Sequence, residues 1–233
     1  MVDSRALRVV VSAALLGASV FASTGCAQEQ SVNPGINDRF ENPDIEVWLG
    51  RFEREDRDVY KGRNEIVSRV GLRPGMDVAD IGAGTGFFTI LFAQEIGPTG
   101  KTYAVDIADN FVAHVTKTAS DLGLENVEGI VNSPESTMLA EDSIDVAFLC
   151  DTYHHFEYPR KMLDSIKRAL RPDGVLVVVD FDRIEGITRE FIWNMVRAGR
   201  GTFKDEIANA GFQLVEEASF SDEQYILKFV QRR

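Results

Sequence analysis

The stretch Asp80-Ile81-Gly82-Ala83-Gly84-Thr85-Gly86 sets three alternating glycines between an apolar run, Val78 to Ile81, and a second one that starts at Phe87. Glycine lets a backbone turn sharply and approach a ligand closely, and a helix starting at such a turn presents unpaired N–H groups. Further on, Asp106 closes the apolar run Tyr103-Ala104-Val105. A glycine turn with an acid at the end of the next strand is the layout of a nucleoside-cofactor pocket. A second group of reactive side chains, Asp151-Thr152-Tyr153-His154-His155-Phe156, follows the apolar run Ile144 to Cys150 and holds two of the three histidines. An imidazole there can take a proton from a hydroxyl acceptor, being the side chain that titrates nearest neutrality. Neighbours on a turn point in different directions, so at most one of His154 and His155 faces a substrate. The residue types leave open which one, and equally allow a purely structural turn.

The glycine spacing separates two cofactors. A dinucleotide fingerprint requires G-x-G-x-x-G, and its third glycine would fall on Phe87 counting from Gly82, or on Thr89 counting from Gly84. The pattern present, D-x-G-x-G-x-G, resembles motif I of the class I S-adenosylmethionine-dependent methyltransferases. Tyr103 to Ile107 resembles that family's second strand, Ile144 to Asp151 its fourth, and Leu170 to Leu176 the turn into its fifth, so the likeness runs in order from about Gly71 to Gln231. It implies S-adenosylmethionine as cofactor and methyl transfer to a small-molecule acceptor. It further implies that Gly82, Gly84 and Gly86 pass under the methionine part, that Asp80 orients its ammonium group, and that Asp106 accepts from the ribose hydroxyls. Ile107 would lie against the adenine, with Asn132 and Ser133 at its edge; many relatives carry Asp where this chain has Asn132. His155, His154 and Asp151 fall at the catalytic rim, in a His-His-Phe segment similar to those of quinone-biosynthesis enzymes. Asp151 with Asp180 or Asp182 resembles the magnesium site of catechol-type enzymes, yet Phe181 and Asp182 stand where those supply Asn. No metal is assigned. The cysteines that arsenite methyltransferases need are missing, and so is the Asn-Pro-Pro-Tyr-like tetrapeptide of amino-methylating enzymes.

The elements that must position these groups alternate after Gly71. Apolar strands are expected near 76–81, 101–106, 126–131, 144–150, 174–180, 212–217 and 224–231, and amphipathic helices near 86–96, 109–122, 158–170 and 188–209. That order predicts an α/β fold, a doubly wound, Rossmann-like, seven-stranded and mostly parallel sheet with helices on both faces. Two final strands without a long helix between them resemble the family's closing hairpin, with an antiparallel last strand. Ile45, Trp48 and Phe52, then Val59, Ile66 and Val70, recur at helical spacing and predict two helices, 44–53 and 56–70. Segment 44–70 falls where many relatives place a lid. The methyltransferase domain is therefore expected over 44–233.

Residues 1–27 differ in kind. Arg5 and Arg8 precede an uncharged run, Val9 to Ser23, that ends in Thr24-Gly25-Cys26-Ala27. This fits a secretory signal rather than a membrane span, which needs about 20 apolar residues. Gly25-Cys26 resembles a bacterial lipobox, which implies a lipidated Cys26 and membrane attachment; simple cleavage after Ala27 is the other expectation. Residues 28–43, polar and without apolar period, read as a tether. Export leaves Cys150 as the one remaining cysteine, so the domain must stand on its core without an intrachain disulfide. A net charge of −12 repels phosphate backbones and argues against nucleic acid as substrate. An exported chain is at odds with a cytoplasmic cofactor. The second reading is therefore a periplasmic lipoprotein that binds a ligand on this fold without catalysis. Oligomeric state is not legible.

Overall fold

The computed structural model describes residues 30–232; the expected export signal and Cys26 lie outside them. Seven strands form one sheet: β1 (Asp77–Ile81), β2 (Lys101–Asp106), β3 (Val127–Val131), β4 (Ile144–Cys150), β5 (Leu170–Phe181), β6 (Phe212–Ser219) and β7 (Gln224–Gln231). Their order is β3-β2-β1-β4-β5-β7-β6. β1 to β5 pair in parallel and β7 runs antiparallel between β5 and β6. The strand order reverses between β1 and β4, so the crevice outside their carboxyl ends is where such sheets bind ligands.

The apolar strands owe their composition to two covered faces. On β4, Ala147 and Leu149 join one core with Leu163, Ile166, Phe203 and Ile207 of α6 (Pro159–Ala169) and α8 (Arg200–Asn209). The alternate residues Val146 and Phe148 join a second core with Ile66 and Phe92 of α3 (Arg63–Val70) and α4 (Phe87–Ile96). Each such fully buried Val, Leu, Ile or Phe side chain contributes on the order of 1.5–3 kcal/mol. α5 (Asp109–Asp121) packs over β2 and β3. At the amino ends of the strands Arg171 pairs with both Asp77 (2.7 Å) and Asp145 (2.8 Å), tying β1, β4 and β5 together far from the crevice.

Two of the expected helices are interrupted. Segment 56–70 divides at Gly62 into α2 (Asp58–Lys61) and α3. A Cβ on Gly62 would stand 3.1 Å from the Asp58 carbonyl and 3.3 Å from the Phe220 ring, so the β6–β7 turn presses on the chain there. Segment 188–209 divides into α7 (Glu190–Met195) and α8, with Val196 extended and buried between them. Asp182 makes the second start: one carboxylate oxygen accepts from the Arg200 amide (3.2 Å) and the other pairs with its guanidinium (3.0 Å). Apolar period carries across both breaks, which is why spacing alone merges the pieces. Strand β5 begins earlier than expected, at Leu170, because that residue already pairs with Ile144.

The described part of the expected tether, from Gln30 onward, lies on the domain. The Val32 amide donates to the Glu157 carbonyl (2.9 Å) and a 3-10 turn, Asp38–Phe40, packs with α1 (Ile45–Phe52). Phe40, Trp48 and Phe52 form a third apolar cluster with Phe111 of α5. This cluster fixes the lid over the crevice.

Candidate active site

The glycine turn is built by backbone bonds to β2. The amides of Gly82 (2.8 Å) and Ala83 (3.1 Å) both donate to the Val105 carbonyl. Asp106 then accepts from the Gly84 amide on one oxygen (2.8 Å) and from the Ala108 amide on the other (2.9 Å). Burial pushes its carboxyl above the ordinary value, and those amides pull against it. Gly82 sits at φ 77°, and a Cβ there would lie 2.3 Å from Thr152, so the turns after β1 and β4 are in direct contact. Gly86, at φ 87°, has another reason to be glycine: its Cβ would meet Val115 of α5 at 2.7 Å. It serves helix packing, and it does not line the crevice. Asp80 lies beneath the turn and accepts from the Thr89 hydroxyl (2.6 Å). Burial raises its carboxyl to about 7; the Thr89 bond opposes this and the charge of Asp106 adds to it.

At the ends of β4 and β5 the two histidines part ways. His154 is fully buried, and its Nδ1 meets an Asp180 oxygen at 2.7 Å. Asp180 also accepts from the His154 amide (3.2 Å) and the Phe181 amide (2.7 Å). In the neutral tautomer that donates from Nδ1 to Asp180, Nε2 presents a lone pair. That Nε2 is buried without a partner, on a residue that lines the crevice. The arrangement is one in which a base can be oriented by a neighbouring acid. His155 is a wall instead. Burial, then the charges of His154 and Arg39, push its imidazole down to about 2. Its ring meets Phe40 edge-on at 5.3 Å, and Asn37 donates to its carbonyl (3.1 Å).

Asp151 is a latch. At φ 51°, it takes Arg57 of the lid on one oxygen (2.6 Å) and Gln224 of β7 on the other (2.7 Å). Burial raises its carboxyl to about 6, with Arg57 opposing. Arg57 also donates to the Phe52 carbonyl, and the Phe52 ring stands 3.1 Å from where a Cβ on Gly84 would be. Asp182 is spent on α8, so the three carboxylates once comparable to a magnesium site have separate partners. Among the described residues no group of three metal-ligating side chains occurs.

The crevice measures about 540 Å³ and is bounded by Asp80, Gly82, Gly84, Asp106, Ile107, Asn132, Asp151, His154 and His155. Ser133 faces away from it, its amide bonded to the Ser136 carbonyl (3.0 Å) and its hydroxyl to the Glu135 amide (3.3 Å). Asn132 spends its amide N–H on the Ser133 carbonyl (2.8 Å), leaving its side-chain oxygen as acceptor. Phe40, Phe52 and Arg57 were not picked out as site residues by motif, and Asp180 only in the comparison with a magnesium site. Phe52 shows a signal in its helical spacing with Trp48, and Asp180 in ending an apolar strand; Phe40 and Arg57 show none.

The sequence model of the methyltransferase domain family matches residues 72–226. A ubiquinone/menaquinone biosynthesis C-methyltransferase UbiE of Hydrogenovibrio crunogenus is 29% identical over 123 residues, 52% of this chain and 48% of that protein. The UbiE of Ectopseudomonas mendocina is 32% identical over 114 residues, 48% and 44% of the two chains. An arsenite methyltransferase of Halobacterium salinarum is 28% identical over 109 residues, 47% of this chain and 28% of that one. The chain thus spans about half the length of the UbiE relatives it matches. Among solved structures, a SAM-dependent methyltransferase from Aquifex aeolicus superposes with a TM-score of 0.72 at 22% identity, covering 81% of this chain and 98% of its own. The [4+2]-cyclase SpnF superposes at 0.66 with 15% identity, covering 77% and 84%. At these identities the likeness is one of fold.

Proposed function

The chain belongs to the methyltransferase domain family, and from that premise we propose that it methylates a small-molecule acceptor whose proton is taken by Nε2 of His154. S-adenosylmethionine fits the residues present. The cradle at Gly82 and Gly84 has no room for side chains, a buried carboxylate stands beside it, and the volume lies within the roughly 300–1,000 Å³ of small-molecule sites. Gly82, Gly84, Asp106, Ile107 and Asn132 would hold it. When bound, it supplies an electrophilic methyl group.

The chain's own work is positioning and proton transfer. The lid excludes water, Phe40 and His155 wall the acceptor side, and Asp180 holds the His154 proton on Nδ1 so that Nε2 is free to receive another. The observation that carries the reading is the buried, unpartnered Nε2 on the crevice wall. An orphaned buried acceptor costs about 1–3 kcal/mol unless a ligand uses it, and its bond to Asp180 through the other ring nitrogen is what suits it to a base role.

Calorimetric titration with S-adenosylmethionine tests the cofactor, and absence of binding removes the reading. Formation of S-adenosylhomocysteine from S-adenosylmethionine in the presence of a panel of phenols and carbon acids tests the base. His154→Ala should lower turnover by about 10²–10⁴-fold with cofactor affinity kept within about twofold. Asp180→Asn should follow it by misplacing the Nδ1 proton. Cofactor binding without transfer to any acceptor would support the binding-only role. The signal-like residues 1–27 support the bacterial envelope as the proposed compartment, and mass spectrometry of the mature N-terminus, with any lipid on Cys26, is its test.

A further inference from the structure

Five arginines reach the crevice: Arg39, Arg51, Arg54, Arg57 and Arg189. Three are spent inside the protein. Arg54 pairs with Asp56, Arg57 with Asp151 and Arg189 with Glu223. Arg39 and Arg51 have no carboxylate partner among the described residues, in a chain whose 37 acids outnumber its 25 basic residues. The two share one aromatic ring. The guanidinium of Arg39 stands 5.9 Å from the Trp48 centroid and 5.0 Å from that of Phe40, and that of Arg51 stands 4.9 Å from Trp48. Cation–π contact holds both guanidinium groups at this ring, and each offers forked N–H donors to a ligand. Partial burial, and then the charge of Arg51, hold Arg39 below the usual guanidinium value.

A run of ring contacts leads from this pair to the base. Trp48 meets Phe40 at 4.8 Å, Phe40 meets His155 at 5.3 Å, and His155 meets His154 at 4.3 Å. An acceptor lying along that line of rings would meet them partly face-on and partly edge-on with its apolar body, its reacting proton at Nε2 and its far end between the arginines.

We infer that Arg39 and Arg51 form an anion clamp at the mouth of the crevice, and that the methyl acceptor is an aromatic acid carrying a carboxylate or comparable anionic group. This rests on the methyltransferase reading above. The planar forked donors suit a carboxylate, and the same chemistry would suit the carboxylate of the cofactor's methionine part, so the experiment separates the two.

Calorimetry on the full-length protein, with S-adenosylhomocysteine present, compares a hydroxynaphthoate with the matching uncharged hydroxynaphthamide. The acid should bind at least about 10-fold more tightly than the amide and lose that advantage as salt rises from low to high concentration. Arg39→Gln with Arg51→Gln should erase the preference while leaving affinity for S-adenosylmethionine within about twofold, and the double Lys variant should restore much of it. Equal binding of acid and amide, or no binding of either, overturns the clamp. A matching loss of S-adenosylmethionine affinity in the Gln variant also overturns it, by giving the arginines to the cofactor. Retained S-adenosylmethionine binding in those cases leaves the methyltransferase reading standing, whereas no such binding in the unmodified protein ends both.

Discussion

The β1–β2 half of the crevice and its β4–β5 half are assembled by opposite means. In the first, Gly84 meets Asp106 across 22 positions and Asp80 meets Thr89 across 9, mostly through backbone amides and the room that glycine leaves. In the second, side chains converge from far apart: Arg57 on Asp151 across 94 positions and Asn37 on His155 across 118. A site shaped by its own backbone is rigid and specific to one ligand shape. A site closed by distant side chains can change its acceptor without disturbing the turn that holds the cofactor.

The largest expected effect comes from the first half. Gly82→Ala forces a side chain into a left-handed position against Thr152, and urea denaturation should show a loss of about 2–4 kcal/mol, with cofactor binding beyond calorimetric reach. Thr152→Ala should recover part of that loss in a double-mutant cycle, because it removes the overlap and not the strained φ. A cost under about 1 kcal/mol would break the contrast between the halves. Asp106→Asn should weaken the cofactor by about 10–100-fold, the range of one charge-assisted hydrogen bond or two, and should also lower the denaturation midpoint, because an NH2 then faces one of the two amides that the carboxylate accepts from.

Effects in the second half should be smaller and depend on pH. Arg57→Met should cost about 1–2 kcal/mol at pH 8, below the range for a fully buried pair because Arg57 and Asp151 remain 23% and 13% exposed. The Asp151 carboxyl is raised to about 6, so its burial favours the protonated form, and the penalty should shrink at pH 5, where that form is reached. Equal penalties at both values would refute the latch. His155 carries the opposite sign. Its folded value, near 2, lies below the ordinary 6.5, so the folded state refuses a proton that the unfolded state takes. Stability present above pH 6.5 should fall as the pH drops below it, by about 1 kcal/mol in the first unit. His155→Phe should flatten that slope in thermal denaturation and leave stability at pH 7.5 nearly unchanged.

What was legible in the sequence follows the same division. Strand positions could be read most clearly where both faces are covered, as on β4 and β5, leaving nearly unbroken apolar runs, and the glycine turn because its pattern is written in adjacent residues. Spacing alone could not divide α2 from α3, since the cause lies in Phe220 pressing on Gly62. Nor could it choose between His154 and His155, which depends on where Asp180 stands after β5 pairs with β4. Phe40 lay hidden in a polar stretch because its partners, Trp48 and His155, are contacts of the folded chain only. Gly86 and Ser133 fit the motif by position, while the structure turns one toward α5 and the other toward its own loop.

The meeting of Gly82 with Thr152 makes the floor of the pocket a single jointed piece. Any molecule that lifts the first turn must also displace the residue two places before His154, so seating a ligand on one side is felt mechanically on the other. The alignment of the imidazole and the occupancy of the cradle are in that sense one degree of freedom, and substitutions at position 152 should tune both together.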